Sequence, residues 1–124
     1  MNPPRHEVVL VEDDSGMRAA FERVLAAAGL RVAAFRSAEA LLEEDALREA
    51  RCFVLDVHLP GLSGFELGRL LRVSGDRSPV IFVTAHDDEK NRQEARTLGA
   101  ASYLTKPFAG RRLVEAVFQA MEQR

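Results

Sequence analysis

Three acids in a row, Glu12, Asp13 and Asp14, stand directly behind the apolar run Val8–Val11. Further along, Asp56 stands behind the apolar run 52–55, Thr84 behind 79–83, and Lys106 just behind 102–104. Carboxylates crowded together repel and raise one another's pKa unless a cation neutralises them. A hard divalent cation does so through oxygen ligands, and Mg²⁺ typically takes one or two carboxylates, a carbonyl and several waters. With a hydroxyl and an ammonium alongside, such a cation suits a phosphoryl group, because it offsets the charge on the phosphoryl oxygens. That chemistry requires segments far apart in the chain to meet.

The elements that could bring them together are legible as a regular alternation. Val8–Val11 is a first strand, residues 31–35 a second, 52–55 a third, 79–83 a fourth and 102–104 a short fifth. Between them lie helix-period segments. Met17, Ala20, Phe21, Val24, Leu25 and Ala28 recur at the three- and four-residue spacing of an amphipathic helix, with Asp14 or Ser15 as cap and Gly29 as a left-handed stop. Ser37 can cap a second helix that turns Leu41, Leu42 and Leu47 inward. After the loop HLPGLSG at 58–64, a third helix around 65–73 would bury Leu67, Leu70 and Leu71. A fourth runs to about Leu98, before Gly99, and a last one carries Leu113, Val114, Val117, Phe118 and Met121 on one face. Apolar runs that do not alternate suit strands covered on both faces, as in a parallel sheet. The predicted class is α/β, an open doubly wound sheet with five helices, whose ligands bind beyond the C-terminal strand ends. Glu12, Asp13, Asp56, Thr84 and Lys106 all fall there.

The bulk composition sets the frame. At 124 residues, 47% hydrophobic and 29% charged, the chain suits a single soluble domain over 1–124. A net charge of −2 gives no reason to expect a nucleic acid or membrane surface as partner. The lone Cys52 cannot form an internal disulfide and fits a reducing cytoplasm. No apolar run reaches the ~20 residues of a membrane span, and MNPPRHE lacks a signal-peptide core. The fourth helical segment, DDEKNRQEARTL at 87–98, is unusual, since only Ala95 and Leu98 are clearly apolar. Such an element buries little, and mobile elements come from the weakly held end of a fold. It is expected to move when the end of the fourth strand is modified.

Taken together, VEDD, LDVHLPGLSG, TA and KP resemble the receiver domain of bacterial two-component response regulators across essentially the whole chain. LDVHLPGLSGFEL and TKPF look most like the nitrogen-fixation and nitrate-response regulators. The resemblance implies a flavodoxin-like sheet with strand order 2-1-3-4-5. It implies that Asp56 accepts a phosphoryl group from a histidine kinase, with Mg²⁺ or Mn²⁺ held by Asp13, Glu12, Asp56 and the backbone carbonyl of His58. Thr84 would bind a phosphoryl oxygen, Lys106 would pair with its charge, and Lys106–Pro107 would be cis. Tyr103 would be the aromatic that moves inward as Thr84 is drawn to the phosphate. The surface of the fourth helix, fifth strand and last helix would then control an output domain or protein, in transcription, and a phosphorylation-dependent homodimer is allowed. No output domain or helix-turn-helix of its own is expected in this chain, hence no direct nucleic-acid contact.

Singly, each residue has a plainer account. The acids could be a helix N-terminus stabilised by the macrodipole, Asp56 a strand-end cap, Thr84 a helix-capping or strand residue, Lys106 a solvated charge, and Tyr103 a core or half-buried surface residue. The metal pair is Glu12–Asp13 or Asp13–Asp14, the former following the strand directly. His58 and His86 are exposed loop residues or, by the same resemblance, modulators of acyl-phosphate lifetime. Three other readings stand further off. An aspartate-nucleophile phosphatase would want a second acid two residues past Asp56, where His58 stands. A flavodoxin-like cofactor module would want a phosphate loop, and GxxxxGK[ST] is missing. A receiver reduced to a docking module would not need all five polar residues.

Overall fold

The computed structural model describes residues 7–44 and 50–122. Its elements run β1 (Val8–Val11), α1 (Ser15–Ala27), β2 (Val32–Phe35), α2 (Ala38–Leu42), β3 (Cys52–Asp56), α3 (Gly64–Val73), β4 (Val80–Thr84), α4 (Glu89–Thr97), β5 (Ser102–Thr105) and α5 (Gly110–Glu122). All neighbouring strands pair parallel, in the order β2-β1-β3-β4-β5. The apolar runs are continuous because both faces of the sheet are covered. Val8, Leu10, Cys52, Val54, Ile81 and Val83 pack with residues of α1 and α5, such as Leu25 and Val117. Val9, Val11, Phe53, Leu55 and Phe82 pack on the opposite face with residues of α2, α3 and α4, such as Leu41, Leu67 and Ala95.

Short polar side chains start the helices. Asp14, Ser37, Ser63 and Asp88 each accept a hydrogen bond from a backbone N–H in the first turn of α1, α2, α3 and α4 respectively. Ser63 and Glu66 complete a reciprocal capping box. Gly29 (φ 91°) and Gly99 (φ 70°) supply the left-handed turns after α1 and α4. Gly64 has a different reason. A Cβ there would lie 2.1 Å from the carbonyl oxygen of Asp56, so only glycine lets α3 start against the end of β3.

Register places the strand ends level. Val11 pairs with Leu55, Asp56 with Val83, and Thr84 with Thr105. Glu12 and Asp56 therefore fall on one rung, and Thr84 lies one rung further on.

Several sequence expectations need correction. β2 begins at Val32, not Arg31, and β4 begins at Val80, after the proline that lacks a ladder donor. Leu70 is 43% exposed. The buried face of α3 is centred on Gly64, Gly68 and Leu71, and a Cβ on Gly68 would touch Phe82 at 3.0 Å. A glycine gives no apolar signal, so the apolar pattern alone sets this face one leucine too far round. Leu42 is 41% exposed because α2 ends there, beside the edge strand β2. Phe118 is 38% exposed, since Ala116 and Ala120 occupy the middle of the buried face of α5, and Val114 is half-buried. Leu47 lies outside the described residues.

Ala95 is the only buried residue of α4, as expected from its composition. Backbone amides of 92–97 should therefore exchange with solvent markedly faster than those of 19–27 in α1, as followed by hydrogen–deuterium exchange. Equal protection would show α4 to be as firmly held as α1.

Candidate functional site at the C-terminal strand ends

The five polar residues meet at one edge. Lys106 Nζ donates to Glu12 Oε1 at 2.7 Å and to Asp56 Oδ2 at 3.1 Å. Glu12 (1% exposed) and Asp56 (4%) are buried, and Asp13 is exposed beside them. One oxygen of each of the three acids lies within 4.8 Å of the other two. Asp14 serves the helix instead, where its Oδ1 accepts from Met17 N at 2.8 Å as the cap of α1. Of the two pairings left open by the sequence, the geometry brings Glu12–Asp13 to Asp56.

Each residue is held by its own element. Glu12 Oε2 accepts from Asp14 N at 3.1 Å, and the Arg18 guanidinium of α1 donates to the Glu12 carbonyl at 2.9 Å. Asp56 Oδ1 accepts from His58 N at 3.0 Å. This bond fixes the first turn of the β3–α3 loop, on which the His58 carbonyl lies. Behind it, Gly64 N donates to the Val57 carbonyl at 3.0 Å. Glu39 of α2 accepts from Leu62 N at 2.8 Å, which holds its carboxyl below the usual range. Lys106 is set by its backbone N–H, which donates to the Thr84 carbonyl at 2.8 Å, and it precedes Pro107 through a cis peptide bond.

Thr84 is fully buried. Its hydroxyl is turned into the β4–α4 loop, where Oγ1 accepts from His86 N at 2.9 Å and donates to the His86 carbonyl at 3.2 Å. Tyr103 is half-buried, with its hydroxyl 3.5 Å from the same carbonyl. His58 and His86 are both exposed, and their rings meet edge to face with centroids 5.0 Å apart. Arg18, Glu39, Asn91 and this ring contact were not found by sequence reasoning. Nothing in their spacing marks them, because their partners are backbone groups or lie on other elements.

Burial dominates the electrostatics. It pushes Glu12 up to about 7, against the lowering effect of the Lys106 hydrogen bond, and the neighbouring Asp56 adds to the rise. Burial also pulls on Lys106 in the downward direction, but its bonds to Glu12 and Asp56 together outweigh this and leave its pKa raised. Three carboxylates thus face one ammonium. Their oxygens are the donors a hard divalent cation takes, so the acid cluster fits such an ion.

A parallel 2-1-3-4-5 sheet with acids at the ends of β1 and β3, a hydroxyl at β4 and a lysine after β5 defines a receiver-type domain. Residues 8–118 match the response regulator receiver domain, and the chain belongs to that family. It is 39% identical over 116 residues to nodulation protein W of Bradyrhizobium diazoefficiens, covering 94% of this chain and 51% of that protein. It is 36% identical over 115 residues to the transcriptional regulatory protein FixJ of Azorhizobium caulinodans, covering 93% and 54% respectively. The chain spans about half the length of these curated relatives. Among solved structures, FixJ-N aligns with a TM-score of 0.85 at 31% identity, over 100% of this chain and 98% of that one. The BeF3-activated receiver domain of DrrB aligns with a TM-score of 0.84 at 30% identity, over 94% and 97%. The relatives agree with the nitrogen-fixation type of regulator expected from LDVHLPGLSGFEL and TKPF.

The raised pKa of Glu12 has a definite sign. Between about 4.5 and about 7 the unfolded chain has lost this proton and the folded chain keeps it, so the group's contribution to stability falls as pH rises through that window. In metal-free buffer, the stability of Glu12→Gln relative to wild type should therefore rise by on the order of 1–3 kcal/mol from pH 4.5 to 7. Urea unfolding at several pH values measures this. A difference that does not change with pH would mean that Glu12 ionises freely in the fold.

Proposed function

We propose that this domain is a phosphorylation-controlled switch that takes a phosphoryl group from a histidine kinase onto Asp56. The observation that carries the reading is the Lys106 ammonium held between Glu12 and Asp56, with Asp13 alongside. One carboxylate in this cluster sits on a rigid strand end with a cation already aimed at it. That is the arrangement an anionic transfer needs, where positioning and charge compensation do most of the work.

An Asp56 oxygen attacks the phosphorus of a phosphohistidine donor in line. The new P–O bond forms as the P–N bond breaks, and the donor imidazole leaves with the electron pair. Lys106 stays beside the incoming phosphoryl oxygens. Thr84 is buried one rung away, and its hydroxyl exchanges the His86 carbonyl for a phosphoryl oxygen. Asp13, Glu12, Asp56 and the His58 carbonyl would hold Mg²⁺ or Mn²⁺, which when bound offsets negative charge on the phosphoryl group. Hydrolysis of the acyl phosphate returns the domain to its starting state. The domain acts only on itself and turns over no separate substrate.

The turn of Thr84 is passed to α4 and to Tyr103 on β5, and the α4–β5–α5 face carries the signal to an output domain or protein, here in transcriptional control. Among the described residues, no helix is long and apolar enough to cross a membrane, and we assign the switch to the cytoplasm, where a kinase would meet it. This face would also carry any phosphorylation-dependent homodimer. Contact with nucleic acid is left to the output partner.

Intact mass after incubation with acetyl phosphate and Mg²⁺ tests the proposal. Wild type should gain one phosphoryl group and lose that capacity in EDTA. Asp13→Asn should be slowed at least tenfold at equal Mg²⁺. Labelling that is indifferent to EDTA and to Asp13 would remove the metal from the account.

A further inference from the structure

The His86 carbonyl is approached by more donors than it can serve well. Thr84 Oγ1 donates to it at 3.2 Å, Asn91 Nδ2 at 2.8 Å, and the Tyr103 hydroxyl stands at 3.5 Å. A carbonyl oxygen has two lone pairs. The shortest of the three contacts comes from Asn91, in the first turn of α4. Asn91 is tied from its other side as well, since its backbone N–H donates to Asp88 Oδ1 at 2.7 Å. One side chain thus clamps the turn 86–88 to the start of α4. The rest of α4 offers little competing anchorage, for only Ala95 is buried.

We propose that Asn91 is a positioning residue for the switch. Its carboxamide pins the His86 carbonyl where the Thr84 hydroxyl bonds to it, and so holds that hydroxyl in the β4–α4 loop and away from an incoming phosphoryl group. The inference rests on the proposed phosphorylation of Asp56 for its consequence, but not for the clamp itself. When Thr84 swings to a phosphoryl oxygen, the turn shifts with it, and the His86 carbonyl gives up Asn91 for Tyr103. Removing the carboxamide donor frees the turn, so the rearrangement that accompanies phosphorylation costs less.

The discriminating variant is Asn91→Asp, which keeps the shape and removes the donor. As a helix N-terminal residue, aspartate is favourable in itself. A role confined to helix stability therefore predicts that neither variant loosens the first turn of α4, since aspartate suits a helix N-terminus and alanine is the best helix former. The clamp predicts that both variants behave alike. Amides of 86–91 should exchange severalfold faster in both, with 94–97 unchanged. The rate of labelling by acetyl phosphate should rise about fivefold in both, the scale set by losing one ordinary hydrogen bond. Faster exchange with no labelling of any form, wild type included, would keep the clamp and sink the phosphorylation reading. Unchanged exchange at 86–91 in Asn91→Asp, or opposite effects of Asp and Ala, would overturn the clamp.

Discussion

Two buried carboxylates sharing one ammonium is the constraint on which the rest depends. Glu12 and Asp56 sit on a single rung of the sheet because β1 and β3 pair in register, and Lys106 reaches both from the end of β5. Isolated, either acid would be costly to bury in its charged form. The lysine offsets part of that cost, and Asp13 keeps the balance negative. The raised pKa of Glu12 reflects the part that is not offset: near neutral pH a proton is nearly as welcome as a charge. A cluster in that condition offers the oxygen donors that a divalent cation takes.

The fold exists in a form that serves this edge. Parallel strands with both faces covered put every crossover's return on the same side, so strand ends that are distant in sequence become neighbours. The supports behind them are local and specific. Gly64 lets α3 start hard against the Asp56 carbonyl, Glu39 braces the loop after His58, and Arg18 closes over the β1 end. On the β4 side the supports are lighter. Thr84 is anchored to a loop whose next helix buries a single alanine. The acid side of the site is braced by more of its surroundings than the hydroxyl side, the asymmetry that the proposed switch would use.

Much of this is legible in the sequence, for identifiable physical reasons. Val8–Val11 and 52–55 read as fully covered strands because no polar residue interrupts them, and the acids behind them then have to lie at strand ends. The caps Asp14 and Ser37 and the stops Gly29 and Gly99 carry local chemistry that does not depend on the fold. What fails is the orientation of helix faces. Leucine is apolar and so Leu70 reads as inward, whereas the close packing of α3 on Phe82 needs Gly68 there. Phe118 yields its place on α5 to two alanines in the same way. What stays invisible is every side chain that bonds to a distant or unpatterned backbone group: Arg18 to the Glu12 carbonyl, Glu39 to Leu62, Asn91 to His86. Such bonds depend on where loops fall in space, and residue type alone does not encode that.

The central claim is that Asp56 is the residue that takes the phosphoryl group. Borohydride reduction of the labelled protein, followed by peptide mapping, locates an acyl phosphate by converting its aspartate to homoserine. The account predicts homoserine at position 56 alone and none at Asp13 or Asp14. Homoserine elsewhere, or a phosphoryl group that resists borohydride and maps to His58 or His86, would contradict it.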